Sequence, residues 1–199
     1  MTTSRPRLVV AYGALPAHAV LRAEAARFHG VAPAKIVLAH ECPRCGSDAH
    51  GRPRLLATAA VRRPAYVSLA RAGDMSVAAI TYAGPVGVDV EAEGAADFAG
   101  FEDVALHPGE RATTPADSTR AWVRKEAVLK ACGLGLSVDP SDVRLDDDGL
   151  ATWDSRHRPP GAVWLRDLAV PGHVIAVAVL PLAEHDVAGL SATVRPATT

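Results

Sequence analysis

Lysine is scarce in this chain. Only Lys35, Lys125 and Lys130 occur, three of the 21 basic residues, which leaves eighteen arginines. Cysteine is equally sparse. Cys42, Cys45 and Cys132 are an odd set that argues against a disulfide framework and for a reducing, cytoplasmic setting. No apolar run approaches the roughly 18 residues of a spanning helix, so no membrane association is expected. Met1 to Arg7 lacks a long apolar core after its charges and does not read as a secretory signal. Net charge is −1, which removes any global case for attraction to nucleic acid or a lipid surface. Any phosphate recognition must come from a local cluster.

The 199 residues are 49% hydrophobic and 22% charged, enough for a real core in one large domain or two small halves. Arg7 to Tyr12 reads as a short apolar strand. Pro16 then opens a helix that closes at Gly30, with Ala17, Val20, Leu21, Ala25 and Phe28 on one face. Arg22 and Arg27 lie off that face, toward solvent or an anion. Further strands are expected at Lys35–His40, Arg54–Val61, Ala65–Leu69, Met75–Tyr82 and Val86–Glu91. In the second half, Phe98–Leu106 reads as a helix, His107–Glu110 as the start of another, and Thr114–Cys132 as the long one. Strands follow at Asp142–Asp146, Leu150–Asp154, Val163–Val170 and His173–Leu180, with Asp148-Gly149 a hairpin turn. The segment after Pro181 is small and polar and reads as frayed. Both halves run helix, then antiparallel strands. This pattern predicts an α+β fold of two pseudo-duplicated halves, residues 1–91 and 92–199.

Two stretches carry chemistry. Ala121 to Gly133 is rich in helix formers and stops at a glycine suited to the left-handed conformation. Within it Glu126 and Lys130 share a face one turn apart, and spacing alone reads them as an exposed ion pair. Two lysines in one helix of a lysine-poor chain weigh against that, because lysine is a movable point charge and proton donor. In Val86 to Glu91, period two puts Asp89 and Glu91 on the same side of a strand. They are either two solvated acids or ligands for a hard divalent ion that also takes a substrate's phosphates. A third stretch, His40 to Pro53, contains Cys42-x-x-Cys45 flanked by His40 and His50. These are zinc-ligand types, but their spacing matches no standard finger, and a tight turn is the plainer reading. A redox role is disfavoured, since no helix follows to lower a thiol pKa.

Gly87-Val88-Asp89-Val90-Glu91 and Trp122-Val123-Arg124-Lys125-Glu126-Ala127-Val128-Leu129-Lys130, in that order and separation, resemble the surfactin-type 4′-phosphopantetheinyl transferases. Gly133-Leu134-Gly135-Leu136 and His50-Gly51-Arg52-Pro53 extend the resemblance, which spans about Pro16 to Leu182. It implies a cytoplasmic monomer with coenzyme A and Mg2+ between two similar halves. The implied activity is of the holo-acyl-carrier-protein synthase type: transfer of 4′-phosphopantetheine to a serine of an apo acyl or peptidyl carrier protein, as in polyketide or nonribosomal peptide biosynthesis. By resemblance Asp89, Glu91 and Glu126 hold the ion, Glu126 also acts as base, and Lys130 neutralises developing charge. His50, Gly51, Arg52 and Arg71 fall on the coenzyme A side. Where relatives carry Ser-His before the Asp-x-Glu, this chain has Ala70-Arg71, and the family's basic helix ahead of Pro16 has no counterpart. The alternative is a non-catalytic relative that binds coenzyme A or a carrier protein without transfer.

Overall fold

The computed structural model describes residues 7–42, 45–96, 98–147, 149–158, 160–182 and 190–197. Its chain order is β1 (Arg7–Gly13), α1 (Ala17–His29), β2 (Leu38–Glu41), β3 (Arg52–Leu55), β4 (Tyr66–Ala72), β5 (Met75–Thr81) and β6 (Val86–Ala92). There follow α2 (Phe101–Ala105), α3 (Pro115–Cys132), β7 (Val143–Asp146), β8 (Gly149–Trp153), β9 (Trp164–Val170), β10 (His173–Val179) and β11 (Ser191–Pro196). The fold is α+β, as the sequence pattern predicts.

Two sheets form the centre. One has the order β11-β1-β5-β4 and the other β6-β10-β9. All pairings within them are antiparallel except β1 with β11. Alternation along the strands explains how they stack. Leu8 and Val10 of β1, Val77 and Ala79 of β5, and Val86, Val88 and Val90 of β6 join one buried cluster with Ile175, Val177 and Val179 of β10. Each such valine, leucine or isoleucine side chain contributes about 1.5–3 kcal/mol when fully buried. The opposite face of the first sheet, Val9, Ala11, Ala78 and Ile80, packs on Val20, Leu21 and Ala25 of α1. The opposite face of the second, Leu165, Ala176 and Ala178, packs on Val123, Ala127, Val128 and Ala131 of α3. Ser68 Oγ ties the sheets together, accepting the Val88 amide at 3.1 Å.

Several elements differ from the sequence reading. The strand expected over Lys35–His40 starts only at Leu38, because Pro33 opens a 3-10 turn at Pro33–Lys35. The strand expected over Arg54–Val61 is the four-residue β3, ending at Leu55. His107–Glu110 is a turn rather than a helix: the Glu110 amide donates to the His107 carbonyl at 2.8 Å, and Pro108-Gly109 ends any continuation. Arg22 is exposed, as expected, and its Nη1 also donates to the Ile36 carbonyl at 2.5 Å. Arg27 pairs with Glu24 at 3.0 Å. The tail is not frayed over Ser191–Pro196, where it adds β11 in parallel to β1. Asp148 of the expected hairpin turn lies outside the described residues; β7 and β8 pair up to Asp146 opposite Gly149.

Candidate functional site

Helix α3 is set by its two ends. At Thr114 the side chain accepts the Asp117 amide at 3.1 Å while the Asp117 carboxylate accepts the Thr114 amide at 3.0 Å, a capping box followed by Pro115 at the first turn. At the far end Gly133 takes φ 74°, and its amide reaches the carbonyls of the last turn. Between the ends, the helix lies almost against strand β6. A Cβ on Gly87 would fall 1.9 Å from the Ala127 carbonyl oxygen, so only glycine allows this approach.

That closeness brings one helix face over Asp89 and Glu91. Lys130 Nζ donates to Asp89 Oδ1 at 2.5 Å. Asp89 and Glu126 are buried, at 6% and 8% exposure, and Glu91 is half-buried. The exposed Glu126–Lys130 pair that spacing suggests is therefore replaced by a buried carboxylate cluster with Lys130 on Asp89. Three acids face one ammonium. Burial raises the pKa of Glu126, and Asp89 and Glu91 raise it further against Lys130. Burial likewise raises Asp89, with Lys130 pulling it back, while burial and the Asp89 charge raise Glu91.

A buried acid cluster with surplus negative charge fits a hard cation. Glu126 Oε1 is buried without a hydrogen-bond partner, and the donor set is all carboxylate oxygen. The oxygens of the three acids do not all close to within 4.8 Å of one another as one ligand group; Asp89 is held by Lys130 instead.

Beside the end of α3 lies a cavity of about 540 Å³, lined in part by Arg52, Pro53, Arg54, Tyr66, Cys132 and Gly133. Arg52 lies against the helix end, where a Cβ on Gly133 would come within 2.9 Å of its Nη1. A cation there complements the negative end of the helix dipole. Burial lowers the Arg52 pKa. Burial also pushes the Cys132 thiol up to about 11, which keeps it inert as a nucleophile. Gly51 has φ 107° and passes so near Glu41 and Cys42 that a side chain would collide with their backbone. His50 is exposed, with Nε2 3.4 Å from Cys45 Sγ. Arg71 is exposed at the β4–β5 turn and donates to the Gly73 carbonyl at 2.8 Å, apart from the cavity. Asp89, Glu91, Glu126 and Lys130 are thus brought together, Arg52 sits at the adjoining cavity, and His50 and Arg71 stand elsewhere.

The sequence reading missed a second role for lysine in α3. Lys125 is 1% exposed and donates to the Ala105 carbonyl at 2.6 Å, the Pro140 carbonyl at 3.1 Å and the Glu110 carboxylate. Glu110 in turn accepts the His107 and Leu145 amides at 2.9 and 3.0 Å. This buried pair ties α2, the turn after it and β7 to α3. Its only advance signal was the scarcity of lysine.

The sequence matches none of the curated proteins. Residues 85–178 match the family model of the 4′-phosphopantetheinyl transferase superfamily. That segment runs from the start of β6 to the end of β10 and holds Asp89, Glu91, Glu126 and Lys130. Over that segment the chain is similar to the 4′-phosphopantetheinyl transferase superfamily.

Proposed function

We propose that the protein transfers the 4′-phosphopantetheine group of coenzyme A to a serine of an apo acyl or peptidyl carrier protein, with Mg2+ as cofactor and 3′,5′-ADP as second product. The observation that carries this reading is the cluster of buried Asp89 and Glu126 with half-buried Glu91 and Lys130, inside the segment that matches the superfamily. Mg2+ held by the three carboxylates would clamp and neutralise the coenzyme A pyrophosphate. Glu126 takes the proton of the carrier serine, a role favoured by its raised pKa and its unsatisfied oxygen. The serine Oγ forms a bond to the β-phosphorus, and the bond from that phosphorus to the leaving 3′,5′-ADP breaks. Lys130 moves from Asp89 toward the charge that grows on the phosphate oxygens. Arg52, at the cavity beside α3, offers a cation to the coenzyme A phosphates, with Gly51 shaping the turn that presents it. Arg71 would reach a phosphate only by leaving the Gly73 carbonyl.

In this reading residues 1–91 supply the coenzyme A side and 92–199 the helix with the base. The protein works as a cytoplasmic monomer serving secondary metabolism. No described helix is long and apolar enough to cross a membrane. The test is release of 3′,5′-ADP from coenzyme A, which should require both an apo carrier protein and Mg2+. Coenzyme A binding without any release, across acyl and peptidyl carriers, would favour the non-catalytic alternative, which the Ala70-Arg71 departure supports.

A further inference from the structure

The hairpin loop between β2 and β3 is ten residues long, Cys42 to Gly51, since Glu41 pairs with Arg52. None of its described side chains is buried, so no apolar core holds it. It is nevertheless closely turned. The Gly46 amide donates to the Cys42 carbonyl at 2.8 Å and the Cys42 amide to the Ser47 carbonyl at 3.0 Å. At the other end Gly51, where a Cβ would come 2.6 Å from Cys42 Cα, lets the returning strand cross directly over Cys42. The crossing sets His50 beside the two cysteines. Cys42 Sγ, Cys45 Sγ and a His50 ring nitrogen lie within 4.8 Å of one another.

From this convergence we infer that the loop is a zinc site with Cys42, Cys45 and His50 as ligands, separate from the carboxylate cluster. Zinc–sulfur bonds of about 2.3 Å and zinc–nitrogen bonds of about 2.0–2.1 Å at a tetrahedral angle place sulfur and nitrogen about 3.5 Å apart. Cys45 Sγ and His50 Nε2 are 3.4 Å apart. Cys42 Sγ reaches the same point as that pair. His40, the other histidine of the motif, does not join the group; its Nε2 is 2.9 Å from His18 Nε2. Three protein ligands leave the fourth position to water. Both thiols lose their protons on binding, so two thiolates and a neutral imidazole give a site of zero net charge, which an exposed loop tolerates. The bound ion replaces the missing core as a cross-link between the ends of the loop. It thereby fixes the turn that delivers Arg52 and Pro53 to the cavity beside α3.

The test is zinc content after exhaustive dialysis of protein purified under reductant, together with the spectrum of the cobalt-substituted protein. One zinc per chain is expected. Cobalt should give thiolate-to-metal charge-transfer bands and the strong visible bands of tetrahedral geometry, and loading should release two protons. Cys42→Ser and Cys45→Ser should each weaken zinc by more than the roughly 10–100-fold that a lost outer-shell partner costs. His50→Ala should do the same, and Cys132→Ser should retain the metal. These loop substitutions are exposed or half-buried, so an unchanged far-ultraviolet circular dichroism spectrum is expected with them. Absence of zinc above a metal-free control, cobalt without thiolate bands, or zinc lost on Asp89→Ala but kept in the double cysteine variant would each overturn the inference.

Discussion

Glu126 concentrates the conflict between stability and chemistry at single residues. Its folded-state pKa is raised by burial and by its acidic neighbours, so the folded protein holds a proton that the unfolded chain gives up. The contribution of Glu126 to metal-free stability is therefore fully present below the ordinary carboxylate range and is lost as pH rises through the raised pKa. Glu126→Gln removes that penalty. Thermal melts at neutral pH should show the metal-free variant more stable than the wild type, while Mg2+ stabilises the variant less and transfer is lost. An active Glu126→Gln protein would remove Glu126 as base. Lys130→Ala acts in the opposite sense. It leaves Asp89 buried without its cation, so the Asp89 pKa rises further, and the loss of stability should be larger at mildly alkaline than at mildly acidic pH. Urea unfolding at the two pH values reads this directly; equal losses would mean that the pair carries no coupling.

At the scale of elements, the site depends on how closely α3 lies against β6. Gly87→Ala places a methyl group into the helix backbone, and overpacking of this kind costs about 1–3 kcal/mol or more. Moving α3 outward would also part Glu126 from Asp89, so stability and transfer should fall together in a denaturant titration and a turnover assay. The far side of the helix is held by the Lys125–Glu110 pair. Glu110→Ala leaves a buried ammonium with only carbonyl partners, for which a loss of about 3–5 kcal/mol is expected. Much of this helix was legible in advance. Thr114, Pro115 and Gly133 announce its ends, and the four-residue spacing of Glu126 and Lys130 sets them on one face. The depth of burial was not legible, because it comes from Gly87 and from Ala176 and Ala178 across the sheet, far away in sequence. For the same reason Lys125 could not be told from a surface lysine.

In the whole molecule, two helices flank two stacked sheets, and the first and last described strands meet in one of them. Period-two alternation showed most strands, but β11 is a short polar segment whose only sheet partner among the described residues is β1, so nothing local marked it. Its Arg195 donates to Glu24 of α1 at 2.5 and 3.1 Å, and Glu24 is 1% exposed. Arg195→Ala should therefore destabilise the protein by about 1–3 kcal/mol in chemical denaturation, more than a surface pair would give. The pairing of an Asp-x-Glu strand with a Lys-Glu-x-x-x-Lys helix was legible in the sequence through its resemblance to a known family, whereas the lodging of Arg52 against the helix end required the fold. The central claim, that this architecture moves phosphopantetheine onto a carrier serine, is tested most directly by the intact mass of an apo carrier protein after incubation with the enzyme, coenzyme A and Mg2+. The account predicts a gain of one phosphopantetheine group on that serine, abolished by EDTA and by Asp89→Ala. An unchanged carrier mass, from folded protein that still binds coenzyme A, would contradict it.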